Sequence, residues 1–172
     1  MEEIVNRIAN SALEIFDLEH YYPEGKRFSI DISQWLYEGF VLREKEFRNN
    51  LKDHDWSQYQ DCYVALYCST DAIAPSWAYM LVTTYLKDIA RKVFMGTQNQ
   101  LEISLYQEIL NKIDYSQYKD KSTIIKGCSK KPVPQEVYVL ATQKLIPYAK
   151  SIMFGEACSS VPLYKRKNNV IS

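Results

Sequence analysis

Three Cys-Ser pairs stand in this chain: Cys68-Ser69, Cys128-Ser129 and Cys158-Ser159. Cys68 follows the apolar run Tyr63-Val-Ala-Leu-Tyr67, and Cys128 follows Ser122-Thr-Ile-Ile-Lys-Gly127. Three chemistries suit them. As thiolates, Cys68, Cys128 and Cys158 would form a soft, sulfur-rich site for zinc, copper(I) or an iron–sulfur cluster. Asp71, His54, Glu156 or an exogenous group could supply a fourth ligand. The chain lacks a close Cys-x-x-Cys pair, the usual sign of zinc. Alternatively, Cys68 or Cys128 acts as a nucleophile or redox thiol, since the start of a helix favours the thiolate. The chain has 2 histidines, and His54 is the plausible base for such a thiol. The third reading has no ligand: Cys and Ser pack well where a strand turns into a helix, and the protein is a non-catalytic interaction module. Cys62 begins its strand at the other end and reads as structural.

The elements around the first two pairs come from an internal duplication. Asp55-Trp-Ser-Gln-Tyr-Gln-Asp61 matches Asp114-Tyr-Ser-Gln-Tyr-Lys-Asp120, and Tyr79 to Gly96 matches Tyr138 to Gly155. The offset is 59 residues at both ends and 60 at the Cys-Ser pair, with 14 identities over 42 positions. Each copy predicts a turn, a short strand, the Cys-Ser loop, a helix beginning at Pro75 or Pro134, and a second strand stopped by glycine. Trp77, Met80, Leu81, Tyr85 and Ile89 mark the buried stripe of the first helix; Val137, Leu140, Ala141 and Leu145 mark that of the second. Between the copies, Gln98 to Ile113 carries Leu101, Leu105, Ile109 and Ile113 at helical spacing.

Residues 1–54 precede the copies. Leu13, Ile15 and Leu18, then Phe28, Ile30 and Ile32, predict two strands paired as a β-hairpin around Tyr22-Pro-Glu-Gly25. A surface helix follows from Arg43 to Asp53, with Phe47 and Leu51 on one face. The expected fold is α/β: one mainly parallel sheet built from a duplicated βαβ unit, with an N-terminal β-hairpin plus helix extension. The expected organisation is a single domain over 1–172, made of the extension (1–54), repeat 1 (55–96), a linking helix (97–113), repeat 2 (114–155) and a C-terminal strap and tail (156–172). Right-handed crossovers in one such sheet would bring Cys68, Cys128 and Cys158 to its carboxyl edge, where ligands bind.

Composition narrows the function. Formal net charge is zero, so a broad basic field for nucleic acid is absent. Lys165-Arg166-Lys167 reads as a solvated tail. The longest charge-free stretch, Ala72 to Leu86, is 15 residues, short of the roughly 20 needed to span a bilayer. With no signal-peptide pattern at the N-terminus, the expectation is a cytoplasmic protein without disulfides. No Gly-rich phosphate loop, His-Glu-x-x-His motif or Ser-centred elbow is present.

Three segments carry a family likeness: Cys68-Ser-Thr-Asp-Ala-Ile-Ala-Pro-Ser-Trp-Ala-Tyr-Met80, Lys126-Gly-Cys-Ser129 and Phe154-Gly-Glu-Ala-Cys-Ser-Ser-Val-Pro-Leu-Tyr-Lys165. With Glu3 to Ser11 and Lys52 to Tyr59, the chain resembles, nearly end to end, the DUF2480 family of bacterial proteins, a domain of unknown function. The resemblance implies a small cytoplasmic protein of the Bacteroidetes type. It also implies a setting near iron–sulfur assembly proteins as partners, which adds weight to a cluster or a role in sulfur metabolism. It brings no established activity.

Overall fold

Val64, Ala65 and Leu66 are buried in succession, as are Thr123, Ile124 and Ile125. Consecutive strand residues point to opposite faces, so each run belongs to a strand covered on both sides, the usual condition of parallel sheets. The computed structural model describes residues 13–127 and 129–167. In chain order its elements are β1 (Leu13–Phe16), β2 (Arg27–Asp31), α1 (Glu44–Asp53), β3 (Tyr63–Tyr67), α2 (Ser76–Leu86), β4 (Lys92–Met95), α3 (Gln98–Lys112), β5 (Ser122–Lys126), α4 (Gln135–Leu145), β6 (Ser151–Glu156) and β7 (Ser159–Lys165). The fold is α/β with mainly parallel strands.

The strands form two sheets, where one was expected. The chain divides into two compact units: unit 1 comprises Met1–Pro23 with Leu105–Ser172, and unit 2 is Glu24–Ser104. Unit 2 holds the parallel sheet β2-β3-β4. Its core gathers Ile30, Phe47, Leu51, Val64, Leu66, Ala78, Val82 and Leu86. Unit 1 holds the sheet β1-β5-β6-β7, parallel except for β7. Phe16, Tyr106, Leu110, Ile125, Val137, Ala141, Leu145 and Ile152 form its core.

The N-terminal hairpin is not formed. β1 pairs in parallel with β5, and β2 pairs in parallel with β3. The reason is local. Asp17 accepts the Glu19 N–H at 2.9 Å and starts a 3-10 turn over Leu18–Tyr21, directly at the end of β1. Asp31 does the same through the Ser33 N–H at 3.0 Å, starting the turn Ile32–Trp35. Each strand therefore leaves its sheet through a capped turn and does not double back, and Phe16 and Ile30 bury in different cores.

Other elements follow the sequence closely, with shifts. The two units show one order of elements: an outer strand with an Asp at or just past its end, the Ser-Gln-Tyr turn, a central strand, a helix and a further parallel strand. Asp55 accepts the Ser57 N–H at 3.0 Å, as Asp114 accepts that of Ser116 at 2.9 Å. Pro75 and Pro134 stand one residue earlier than expected, as extended N-cap residues. In α2 the fully buried stripe is Ala78, Val82 and Leu86, while Met80 is 66% exposed. The expected stripe lay one residue to the side, because Trp77, Leu81 and Tyr85 flank the contact and their size dominates the pattern. Val137, Ala141 and Leu145 of α4 are buried as read from the sequence. In α3, Tyr106 and Leu110 are buried while Ile109 is half-buried. The C-terminal strap is strand β7, antiparallel to β6; the register slips between Ile152 and Met153, and Pro162 sits opposite Met153. Proline is tolerated there because β7 is an edge strand with an irregularity.

Candidate functional site

The central strand of unit 2 delivers Cys68 one residue beyond its carboxyl end. Its neighbour β2 delivers Asp31, which pairs in register with Tyr67. Asp31 Oδ1 accepts two backbone N–H groups, from Ser33 and from Ser69, each at 3.0 Å. The Ser33 and Ser69 hydroxyl oxygens lie 3.3 Å apart. Burial works against the Asp31 charge, but the Ser69 hydroxyl, these two N–H groups and the Ser33 hydroxyl outweigh it, so its pKa falls below the ordinary carboxylate value.

Cys68 is half-buried, with its Sγ 3.4 Å from Thr70 Oγ1. The Thr70 hydroxyl donates to the Gly39 carbonyl at 2.6 Å. Its one proton being used there, it faces the sulfur as an acceptor. Tyr79 of α2 completes the group: burial, then the charges of Cys68 and Asp31, push its hydroxyl pKa up. Beside this cluster the loops form an open groove of about 600 Å³ lined by Phe40, Val41, Asp71, Ile73 and Trp77 among others. Ile73 is 95% exposed on its rim.

The residues singled out from sequence fall as follows. Cys68 stands at the carboxyl edge of the three-stranded sheet. Cys158 is exposed, between β6 and β7, at the carboxyl end of β6 in the four-stranded sheet. Cys128 lies outside the described residues. The expectation of a single sheet, with one carboxyl edge for all three thiols, therefore gives way to two sheets with an edge each. Among the described residues, no group of three or more His, Cys, Asp or Glu side chains is placed to hold a metal ion. Asp71 is exposed in the groove loop, and the α2 N-cap is Pro75. His54 hydrogen-bonds Tyr59 Oη through Nε2 at 3.0 Å and packs edge-on against Trp35 and Trp56. Among the described residues no hydrogen bond joins it to Cys68. Burial lowers its pKa against the opposing pull of Asp55. Cys62 is buried, its Sγ bonded to the Gln60 carbonyl at 3.2 Å.

Asp31, Ser33 and Tyr79 were not read from the sequence as site residues. A signal existed: Ile30-Asp31-Ile32 and Phe16-Asp17-Leu18 repeat one pattern, an acid between two apolar residues at the end of a strand. An acid in that position faces the carboxyl edge and caps the next turn.

The family model described as "Protein of unknown function (DUF2480)" matches residues 2–166. The chain belongs to this DUF2480 family. No curated protein and no solved structure matches it. Among the described residues, no helix of this family member is long and apolar enough to cross a membrane.

Proposed function

We propose that this protein is a thiol-dependent binding or catalytic protein that works at the carboxyl edge of β3, with Cys68 as its reactive group. One observation carries the reading. Cys68 is a half-buried thiol at the end of a central parallel strand, amid the polar side chains of Asp31, Ser33, Ser69, Thr70 and Tyr79. Carboxyl ends of parallel strands are where α/β sheets bind ligands. Cys62, by contrast, packs in the core of the same unit.

Alkylation of the native protein with N-ethylmaleimide, read by mass spectrometry at each cysteine, tests this. Cys68 is expected to react while Cys62 stays protected. Thr70→Val, which removes the hydroxyl 3.4 Å from the sulfur, should change the reaction rate at Cys68 and leave that at Cys158 unchanged. If Cys68 proves as protected as Cys62, the thiol reading fails.

A second reading keeps Cys128 and Cys158 of unit 1 as ligands of zinc or an iron–sulfur cluster, in a protein accessory to iron–sulfur or sulfur metabolism. Its support is the exposed Cys158 at the end of β6, the strand paired to the one that leads to Cys128 in sequence. Elemental analysis and a visible spectrum of anaerobically purified protein decide it. Stoichiometric metal lost on Cys158→Ser supports it, and metal-free protein sinks it.

A further inference from the structure

Units 1 and 2 each end an outer strand with an aspartate, and the two aspartates are balanced differently. Asp17 follows β1 and Asp31 closes β2; each caps a 3-10 turn by accepting the N–H two residues on. The register of β1 against β5 pairs Phe16 with Ile125, which brings Lys126 beside Asp17. In unit 2 the residue beside Asp31 is Tyr67. Tyr67 and Lys126 are also matched by the 59-residue offset between the two copies.

The consequence is chemical. In unit 1, Lys126 Nζ donates to Asp17 Oδ2 at 2.9 Å, so the carboxylate has a counter-ion built into the sheet. In unit 2, Asp31 is met by N–H groups and hydroxyls alone, and among the described residues no ion pair reaches it. Neutral donors stabilise its charge but do not cancel it. Asp31 is half-buried and Ser69 is exposed, so the position facing the carboxylate is reachable from solvent. The Ser33 and Ser69 hydroxyls add acceptors next to it. An ammonium group needs a carboxylate and neutral acceptors for its three N–H bonds.

We infer that Asp31, with Ser33 and Ser69, binds the primary alkylammonium group of a ligand, in the place that Lys126 Nζ fills in unit 1. The ligand is thereby set against the Cys68 thiol at the same edge. The inference rests on the reading of that edge as the working site, and it names the substrate class: primary amines.

The test is a titration of the full chain with n-butylammonium chloride at constant ionic strength, followed by proton–nitrogen correlation spectra. The Ser33 and Ser69 amides are expected to shift saturably, and tetramethylammonium, which has no N–H donor, to leave them unmoved. Asp31→Asn should weaken binding by about ten-fold or more, the loss of a charge-assisted bond. Tyr67→Lys should abolish binding by supplying the ammonium internally, while Tyr67→Phe retains it. Nα-acetyl-lysine amide, titrated alongside, tells a free amine from a protein lysine by which binds more tightly; binding of either supports the site. Absence of a saturable shift at these amides, an equal response to tetramethylammonium, or undiminished affinity in Asp31→Asn overturns the inference. Cys68→Ser should keep amine binding. Binding with a protected Cys68 therefore refutes only the thiol reading, and a reactive Cys68 without binding refutes only this one.

Discussion

At the scale of single residues, a buried ion pair stands out in unit 2. Arg27 and Glu102 form a bidentate pair, Nε to Oε1 at 2.6 Å and Nη2 to Oε2 at 3.0 Å, with side chains only 8% and 11% exposed. Truncating one partner of a buried pair strands the other charge, so Glu102→Ala should cost about 3–5 kcal/mol, read as a lower urea midpoint at unchanged m-value. The pair was invisible in sequence because its members are separated by 75 positions and only packing makes them neighbours. His54 is different: its position at the head of the first copy suggested a base, while its surroundings of Trp35, Trp56 and Tyr59 make it part of a ring cluster. Its folded pKa lies below the ordinary histidine value, so the unfolded chain takes up the proton more readily. Stability from this group is complete above about pH 6.5 and is lost as pH falls from there through the folded pKa. The fall in urea midpoint between neutral and mildly acid pH should be smaller in His54→Gln than in the wild type. An equal fall in both would remove His54 from the account.

At the scale of elements, matched positions in the two units explain each other. Thr123 of β5 is fully buried and its Oγ1 has no hydrogen-bond partner among the described residues. The matched residue of β3 is Val64, also fully buried. Thr123→Val removes the unsatisfied hydroxyl at nearly constant volume and should raise stability by about 1 kcal/mol, seen as a higher melting temperature. A drop would mean that the hydroxyl has a partner after all. The same correspondence sorts the α2 stripe: Val137, Ala141 and Leu145 of α4 align with Ala78, Val82 and Leu86. Periodicity in α2 alone favours the bulkier Trp77, Leu81 and Tyr85, which are half-buried at the margin, while the smaller Ala78 and Val82, with Leu86, are fully buried at the centre. Glycine shows a similar logic at one place. A side chain at Gly155, with φ of 128°, would press on the Ser159 carbonyl across the β6–β7 ladder.

At the scale of the whole molecule, the sequence determined what depends on near neighbours along the chain. The strands β3 to β6, the three later helices, the Ser-Gln-Tyr turns and the order of elements common to the two units all follow from local pattern and turn chemistry. The thiol and the loop that carries it were equally legible. Each unit has a core of its own, so Leu86→Ala should cost about 2–5 kcal/mol, with the greatest loss of amide hydrogen-exchange protection in β2, β3, α2 and β4. Leu145→Ala should do the same in β5, α4 and β6; protection lost mainly in the other unit's strands would contradict this division. Only the tertiary structure decided which strands pair. β1 and β2 are adjacent in sequence and alternate like a hairpin, yet each adds to a different sheet, because Asp17 and Asp31 turn the chain at the strand ends and each strand finds a long-range apolar partner. That choice made two carboxyl edges where one was expected, and it set Asp31 beside Cys68. Strand pairing is a contest among distant segments for buried area and ladder hydrogen bonds, and alternation along one strand does not record its outcome. The Cys-Ser pair was visible from the start; the carboxylate that gives it a setting was not.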